Sequence, residues 1–259
     1  MQYLGVDGTA CLLSVPNDCD AFNLTSLCLT GLLQRKLIES LEPFGCHLPR
    51  NTIPSHAMCT APIVAITGGI ASGKTSFRRH LSIFLEDTEW FDADACASRL
   101  LNGSREVRAE VEKVLGREIY VGGKLDRAQA RLRIFFDPCC RAQLERVLHP
   151  RVRGIWMAQV VRSKVLGRKL LAELPLLYET GWETSCDFIM VIACSFATQL
   201  RRLASRGICD SLARKMIAVQ LPAEEKVRRA HEVVWNDGPP RLLTEQARVT
   251  AGYLTKRYG

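Results

Sequence analysis

The sequence has no run of roughly 18 apolar residues, which leaves out a membrane-spanning helix. It opens MQYLGVDGTA, without the basic start or long apolar segment of a secretory signal, so a cytoplasmic protein is expected. Its cysteines show no paired metal-ligand spacing. Cys139 and Cys140 are adjacent and the others are scattered. In a cytosolic chain that pattern reads as small buried hydrophobes rather than as disulfides or zinc ligands. Internal repeats and low-complexity tracts are also missing, so the reading rests on single elements and their order.

What is present is an ordinary globular composition. The chain has 259 residues, 47% hydrophobic and 24% charged, which allows one large domain or two small ones. The charge is unevenly placed. Of the net +8, residues 1–59 carry −2 and residues 60–259 carry +10. A basic body suits a polyanion, either nucleic acid or a small molecule with several phosphates. A solvated basic face is the plain alternative. Residues 1–59 hold five of the eleven cysteines, together with Pro, Asn and Ser in no clear pattern and one short helix candidate at 26–41. Met58 stands just before the first convincing strand and is expected to be the true start. The first 57 residues are then a leader or a mis-assigned start, with a docked extension as the alternative.

From residue 60 onward, strands and helices alternate. Apolar runs place strands at 63–67, 89–92, 169–174, 188–193 and 232–235. Helical spacing of apolar residues places helices at 75–85, 95–101, 104–115, 127–135, 138–164, 197–205, 211–219, 223–230 and 241–255. This alternation predicts an α/β fold, a parallel sheet with helices on both faces. The gap between the second and third strands is long and almost wholly helical. A helical insertion there would form a lobe over the carboxyl ends of the strands, where such folds bind ligands.

The stretch Gly68–Gly69–Ile70–Ala71–Ser72–Gly73–Lys74–Thr75 fits the phosphate-loop pattern G-x-x-x-x-G-K-[ST] between a strand and a helix. Glycines let successive N–H groups point inward around phosphate oxygens. The helix N-terminus adds positive potential, Lys74 reaches the outer phosphates, and the Thr75 hydroxyl suits Mg²⁺. The next signal is EWFDADACASRL, residues 89–100. Alternation predicts that Asp92 and Asp94 share one side of a strand end beside the phosphate loop. One would accept a proton from an attacking hydroxyl, and Asp94 is the preferred base. Either acid could instead cap the following helix.

Further on, the chain reads GKLDRAQARLRIFFDP, LERVLHPRVR, LPLLYETG, CDFIMVIACSFATQLRRLASR and QLPAEEKVRRAHEVVWNDG. Together with ITGGIASGKT and FDAD, in this order over residues 62–240, they resemble the dephospho-coenzyme A kinase family. Those enzymes are P-loop kinases that phosphorylate the 3′-hydroxyl of dephospho-CoA with ATP. The resemblance implies a P-loop NTPase fold with a five-stranded parallel sheet, a helical acceptor-binding insertion at about 95–166 and a lid at about 196–225. Residues 1–59 lie outside it.

The same resemblance implies roles. Gly68, Gly69, Ile70, Ala71, Ser72, Gly73, Lys74, Thr75 and Ser76 would hold the ATP phosphates, with Thr75 also at Mg²⁺. Asn236 and Gly238 would lie near the adenine. Asp94, Lys74 and Arg206 would be catalytic, Arg206 as a lid arginine near Arg201 and Arg202. Asp92, Asp126, Arg127, His149 and Glu179 would serve the acceptor, though a histidine before a proline in a helix often has a packing or capping role. His231 departs from the family, which usually has an acid there. The expected partner is dephospho-CoA, with no membrane. CoA substrates are phosphate-rich, so the basic body needs no nucleic acid. The alternatives are another small-metabolite or nucleotide kinase on the same scaffold, or a non-catalytic regulator binding ATP or nucleic acid. No N-K-x-D stretch is present, which argues against a GTPase.

Overall fold

A computed structural model describes residues 61–258. The N-terminal region, with its helix candidate and Met58, lies outside the described residues. The expected five-stranded parallel sheet is present, in the order β2-β5-β1-β6-β7. Its strands are β1 (Ile63–Thr67), β2 (Thr88–Asp92), β5 (Lys169–Glu173), β6 (Phe188–Ala193) and β7 (Glu232–Trp235). The central strand β1 is buried along its whole length. It pairs in parallel with β5, Ile63 opposite Leu170, and with β6, Val64 opposite Phe188. A strand covered on both faces needs the unbroken apolar run IVAI rather than an alternating one.

Successive side chains of β1 feed two cores. Ile63 and Ala65 join Trp156, Val160 and Val191 on one face. Val64 and Ile66 join Phe77, Leu81, Leu243 and Ala247 on the other. Each large apolar side chain buried this way contributes about 1.5–3 kcal/mol. Helix α1 (Lys74–Phe84) and helix α9 (Pro240–Tyr258) cover the second face, and α5 (Pro138–Leu166) covers the first. Between β2 and β5 the chain also forms α2 (Ala93–Gly103), α3 (Arg105–Leu115) and α4 (Arg127–Phe136). With α5 they enclose a separate cluster of Val107, Val111, Leu115, Ile119 and Leu144. Between β6 and β7 lie α6 (Phe196–Ala204), α7 (Asp210–Ala218) and α8 (Ala223–Arg228). Ala71 of the glycine-rich loop packs with Leu203, Ile208, Leu212 and Met216 of this segment. No described helix is long and apolar enough to cross a membrane.

Three expectations need correction. Strand β2 ends at Asp92, so Asp94 does not share a strand with it; Asp94 sits in the first turn of α2. The cause is local: Asp92 Oδ1 accepts a hydrogen bond from Ala95 N at 2.9 Å, which starts the helix and ends the alternation. A short hairpin, β3 (Tyr120–Val121) with β4 (Lys124–Leu125), turns at Gly122 and Gly123, both at positive φ. Two-residue strands carry too little periodicity to be read. The cysteines also divide. Cys96 and Cys194 are buried, but Cys139 and Cys209 are exposed, and all six described cysteines are free. Cys139 lies in the first turn of α5 and Cys209 just before α7. These are helix starts at the surface, where a small side chain has no core to enter.

Candidate active site

The loop between β1 and α1 is shaped by two close approaches. At Gly68 (φ 144) an added Cβ would run into Ile192 O, and at Gly73 (φ 102) into Asn236 Nδ2. Only glycine fits both constraints. The loop is braced from behind through its carbonyls. Asn236 Nδ2 donates to Ser72 O at 2.8 Å. Arg202 Nη1 donates to Ala71 O and Ser72 O, both at 3.0 Å, and Arg202 Nη2 to Asn236 O at 2.8 Å. Gln199 Nε2 donates to Ile70 O at 2.8 Å. Helix α1 then begins with no side-chain cap and no acid in its first turn. The first N–H groups of a helix have no partner within it, so this start keeps its donors for an anion.

Lys74 is buried in the loop, and its Nζ donates to Gly68 O at 3.1 Å and Gly69 O at 2.9 Å. Burial brings its ammonium down to about 8, against the opposing pull of Asp94 and Glu173. Thr75 Oγ1 donates to Glu173 Oε1 at 2.7 Å. Glu173 is buried at the end of β5, and burial raises its carboxyl pKa, offset in part by the Thr75 hydrogen bond and by Arg78. Arg78 Nε lies 3.0 Å from Glu173 Oε2, near enough for an ion pair but off the hydrogen-bond axis, so both atoms lack a hydrogen-bond partner.

These groups open into a cavity of about 400 Å³. Ile70, Ala71, Gly73, Lys74, Thr75 and Ser76 form its floor. Asp94, Glu173 and Arg206 stand at its sides, and Arg141, Leu144, Glu145, Leu148 and His149 of α5 form the far wall. Asp94 is open to solvent through the cavity yet walled in by protein on most sides. This desolvation raises its carboxyl pKa, while Lys74 pulls it down. A polyphosphate on the loop would thus meet two cations, Lys74 and Arg206, with a carboxylate in reach of an acceptor between loop and wall.

The other site candidates fall elsewhere. Asp92 caps α2 and pairs with Arg78 Nη2 at 3.3 Å. Asp126 caps α4, accepting from Ala128 N and Gln129 N, and these bonds hold its carboxyl below its ordinary range. Arg127 Nη2 donates to Ser98 Oγ at 2.6 Å. Glu179 accepts from Leu221 N at 2.9 Å and pairs with Lys226 Nζ at 2.7 Å. Asn236 braces the loop, and Gly238 lies against Leu242. Of the neighbouring arginines, Arg202 is a brace and Arg201 Nη2 donates to Thr198 Oγ1.

Sequence reading passed over Glu173. The signal was available: one acid ends the apolar run of β5, in KLLAELPLL, beside the tip of β1. Arg141 and Glu145 had no such mark, because they lie on a long helix rich in charge.

A phosphate-cradling loop between the central strand and its helix, with carboxylates at neighbouring strand ends, defines a P-loop kinase. The chain belongs to the dephospho-CoA kinase family, whose model matches residues 62–240. The dephospho-CoA kinase of Chlorobaculum tepidum is 36% identical over 190 residues, covering 71% of this chain and 90% of that protein. A Thermus thermophilus protein of known crystal structure is 32% identical with a TM-score of 0.60, over 77% of this chain and 99% of that one. A dephospho-CoA kinase from Campylobacter jejuni, 20% identical over 77% of this chain and 100% of that one, shares the fold with a TM-score of 0.52.

Proposed function

We propose that this protein transfers the γ-phosphoryl group of ATP to the 3′-hydroxyl of dephospho-CoA, giving ADP and CoA, the last step of coenzyme A biosynthesis. The observation that carries this reading, beside family membership, is the convergence of Lys74, Thr75, Asp94, Glu173 and Arg206 on one cavity. The loop from Gly68 to Ser76 binds the ATP phosphates, and Lys74 balances charge on the β- and γ-phosphates. Asp94 orients the acceptor hydroxyl or takes its proton, and its raised pKa makes it a better acceptor of that proton. Arg206 neutralises the transferring phosphoryl group from the opposite side. The helices over about 95–166 act as the acceptor lobe, with Arg141 and His149 facing the substrate. Residues about 196–225 act as a lid that excludes water.

The residues present fit Mg²⁺. The Thr75 hydroxyl and the Glu173 carboxylate are hard oxygen donors 2.7 Å apart that both line the cavity. Thr75 and Glu173 would hold the ion, which would supply positive charge to offset that of the phosphates. The setting is cytoplasmic.

The test is to mix the full chain with Mg·ATP and dephospho-CoA and weigh the acceptor, beside an Asp94→Asn control. Gain of one phosphoryl group, strongly reduced in the control, is expected. An unchanged acceptor with ATP still bound would overturn the assignment of substrate. Equal product from both proteins would remove Asp94 from the mechanism.

A further inference from the structure

The segment that carries Arg206 leaves α6 and returns through Gln220 and Leu221 to α8. Both of its ends are held. At the departing end α6 closes at Gly207 (φ 76), whose N–H donates to Ala204 O at 2.9 Å, while Ile208 N donates to Leu203 O at 3.2 Å. At the returning end, two adjacent residues are tied to two different parts of the site. Gln220 Oε1 accepts from Ile70 N of the phosphate loop at 2.7 Å. Leu221 N donates to Glu179 Oε1 at 2.9 Å. Glu179 is itself fixed by Lys226 Nζ at 2.7 Å, and Lys226 is fully buried. The same Nζ reaches Pro175 O at 3.3 Å, beside the cavity wall. A buried ammonium with one carboxylate and one carbonyl is held in place, because separating the pair would leave an uncompensated buried charge.

We infer that Gln220, Glu179 and Lys226 are positioning residues, which lock the returning end of the Arg206 segment to the phosphate loop and to the chain after β5. Nucleotide on the loop is then transmitted to the segment through Ile70 and Gln220. None of the three needs to touch the reacting atoms. This rests on the lid role proposed above for the segment. It also accounts for Glu179, which the resemblance had placed on the acceptor.

The test compares wild type, Gln220→Leu, and the double variant Glu179→Leu with Lys226→Met. The double variant replaces the ion pair with apolar groups of similar size, so it keeps the fold while removing the Leu221 anchor. Amide hydrogen exchange is followed over residues 68–76 and 206–220, with and without a non-hydrolysable ATP analogue. The wild type is expected to gain protection in both regions. Both variants are expected to gain it in the loop only. Equal protection of 206–220 in the variants, or none in the wild type, overturns the inference. Should Gln220→Leu not fold, the double variant decides by itself. In turnover, the variants should lose kcat by on the order of tenfold to a hundredfold, with the KM for ATP shifted less than about threefold. A merely structural loss would lower the folded fraction and leave nucleotide protection intact in the molecules that remain folded. Failure of the wild type to phosphorylate dephospho-CoA would sink the assigned function, while the exchange comparison would still decide the coupling.

Discussion

The start of α1 and the starts of α2 to α8 are built in opposite ways. Asp92, Ser104, Asp126, Asp137 and Ser195 each place a side-chain oxygen on the free amides of α2, α3, α4, α5 and α6. Helices α7 and α8 lack such a cap but carry acids in their first turns, Asp210 in one and Glu224 with Glu225 in the other. Helix α1 has neither. It begins after a left-handed glycine and puts a buried lysine at its first position, where the helix dipole is already positive. The stabilising choice has been made at the starts of α2 to α8 and withheld at this one. What α1 loses in stability it keeps as unspent donors and unbalanced positive charge, which is what a polyphosphate requires.

The largest expected effect breaks the chemistry beside that start. Asp94→Asn should lower kcat by about 10²–10⁴. In the wild type, activity should fall as pH drops through the raised pKa of Asp94, so the acid limb of kcat/KM lies above the ordinary carboxylate range. The variant should lose that limb.

Lys74→Met should cost about 10²–10³ in kcat. Its melting temperature should stay level or rise, because the buried ammonium is gone. A clear fall in melting temperature would show that Lys74 supports the fold. The pH dependence sharpens the same contrast. Lys74 has a folded pKa of about 8 against an ordinary 10.5. Between those values the unfolded chain binds more protons, so this group's contribution to stability grows as pH rises through the window. ATP affinity should move the other way, weakening above a pH of about 8 as the lysine loses its charge. Calorimetry and nucleotide titration over the same pH range would check both trends.

Gly73→Ala should cost about 1–2 kcal/mol in backbone strain alone, with more from the collision with Asn236, and it should weaken ATP binding. The smallest effect is at an ordinary cap. Ser104→Ala should cost about 1 kcal/mol in chemical denaturation and leave kcat unchanged, since the Ser104 hydroxyl serves only α3.

Much of this was legible in the sequence because local patterns and tertiary context agree. Strands β1, β5, β6 and β7 are built on apolar runs, and each folds where its run lies. The phosphate loop was readable because its spacing is dictated by backbone geometry. What escaped reading depends on partners distant in the chain. Glu173 gains its meaning from Thr75, and Arg202 and Gln220 from the loop carbonyls and amide they hold. Residue type was insufficient for the acids. Asp92, Asp94 and Asp126 are alike on paper, yet two spend their carboxylates on helix amides and one opens into the cavity. His231 likewise takes its role from a distant partner, its Nδ1 accepting from Ile189 N at 3.0 Å.

The most direct measurement is of amide chemical shifts in the isotopically labelled chain during titration with ATP. The expected result is large, saturating shifts at Gly73, Lys74, Thr75 and Ser76, with little change at the capped amides Val107, Ala128 and Thr198. Nucleotide that binds without moving the amides at the start of α1 would contradict the claim that this helix start is kept uncapped for phosphate.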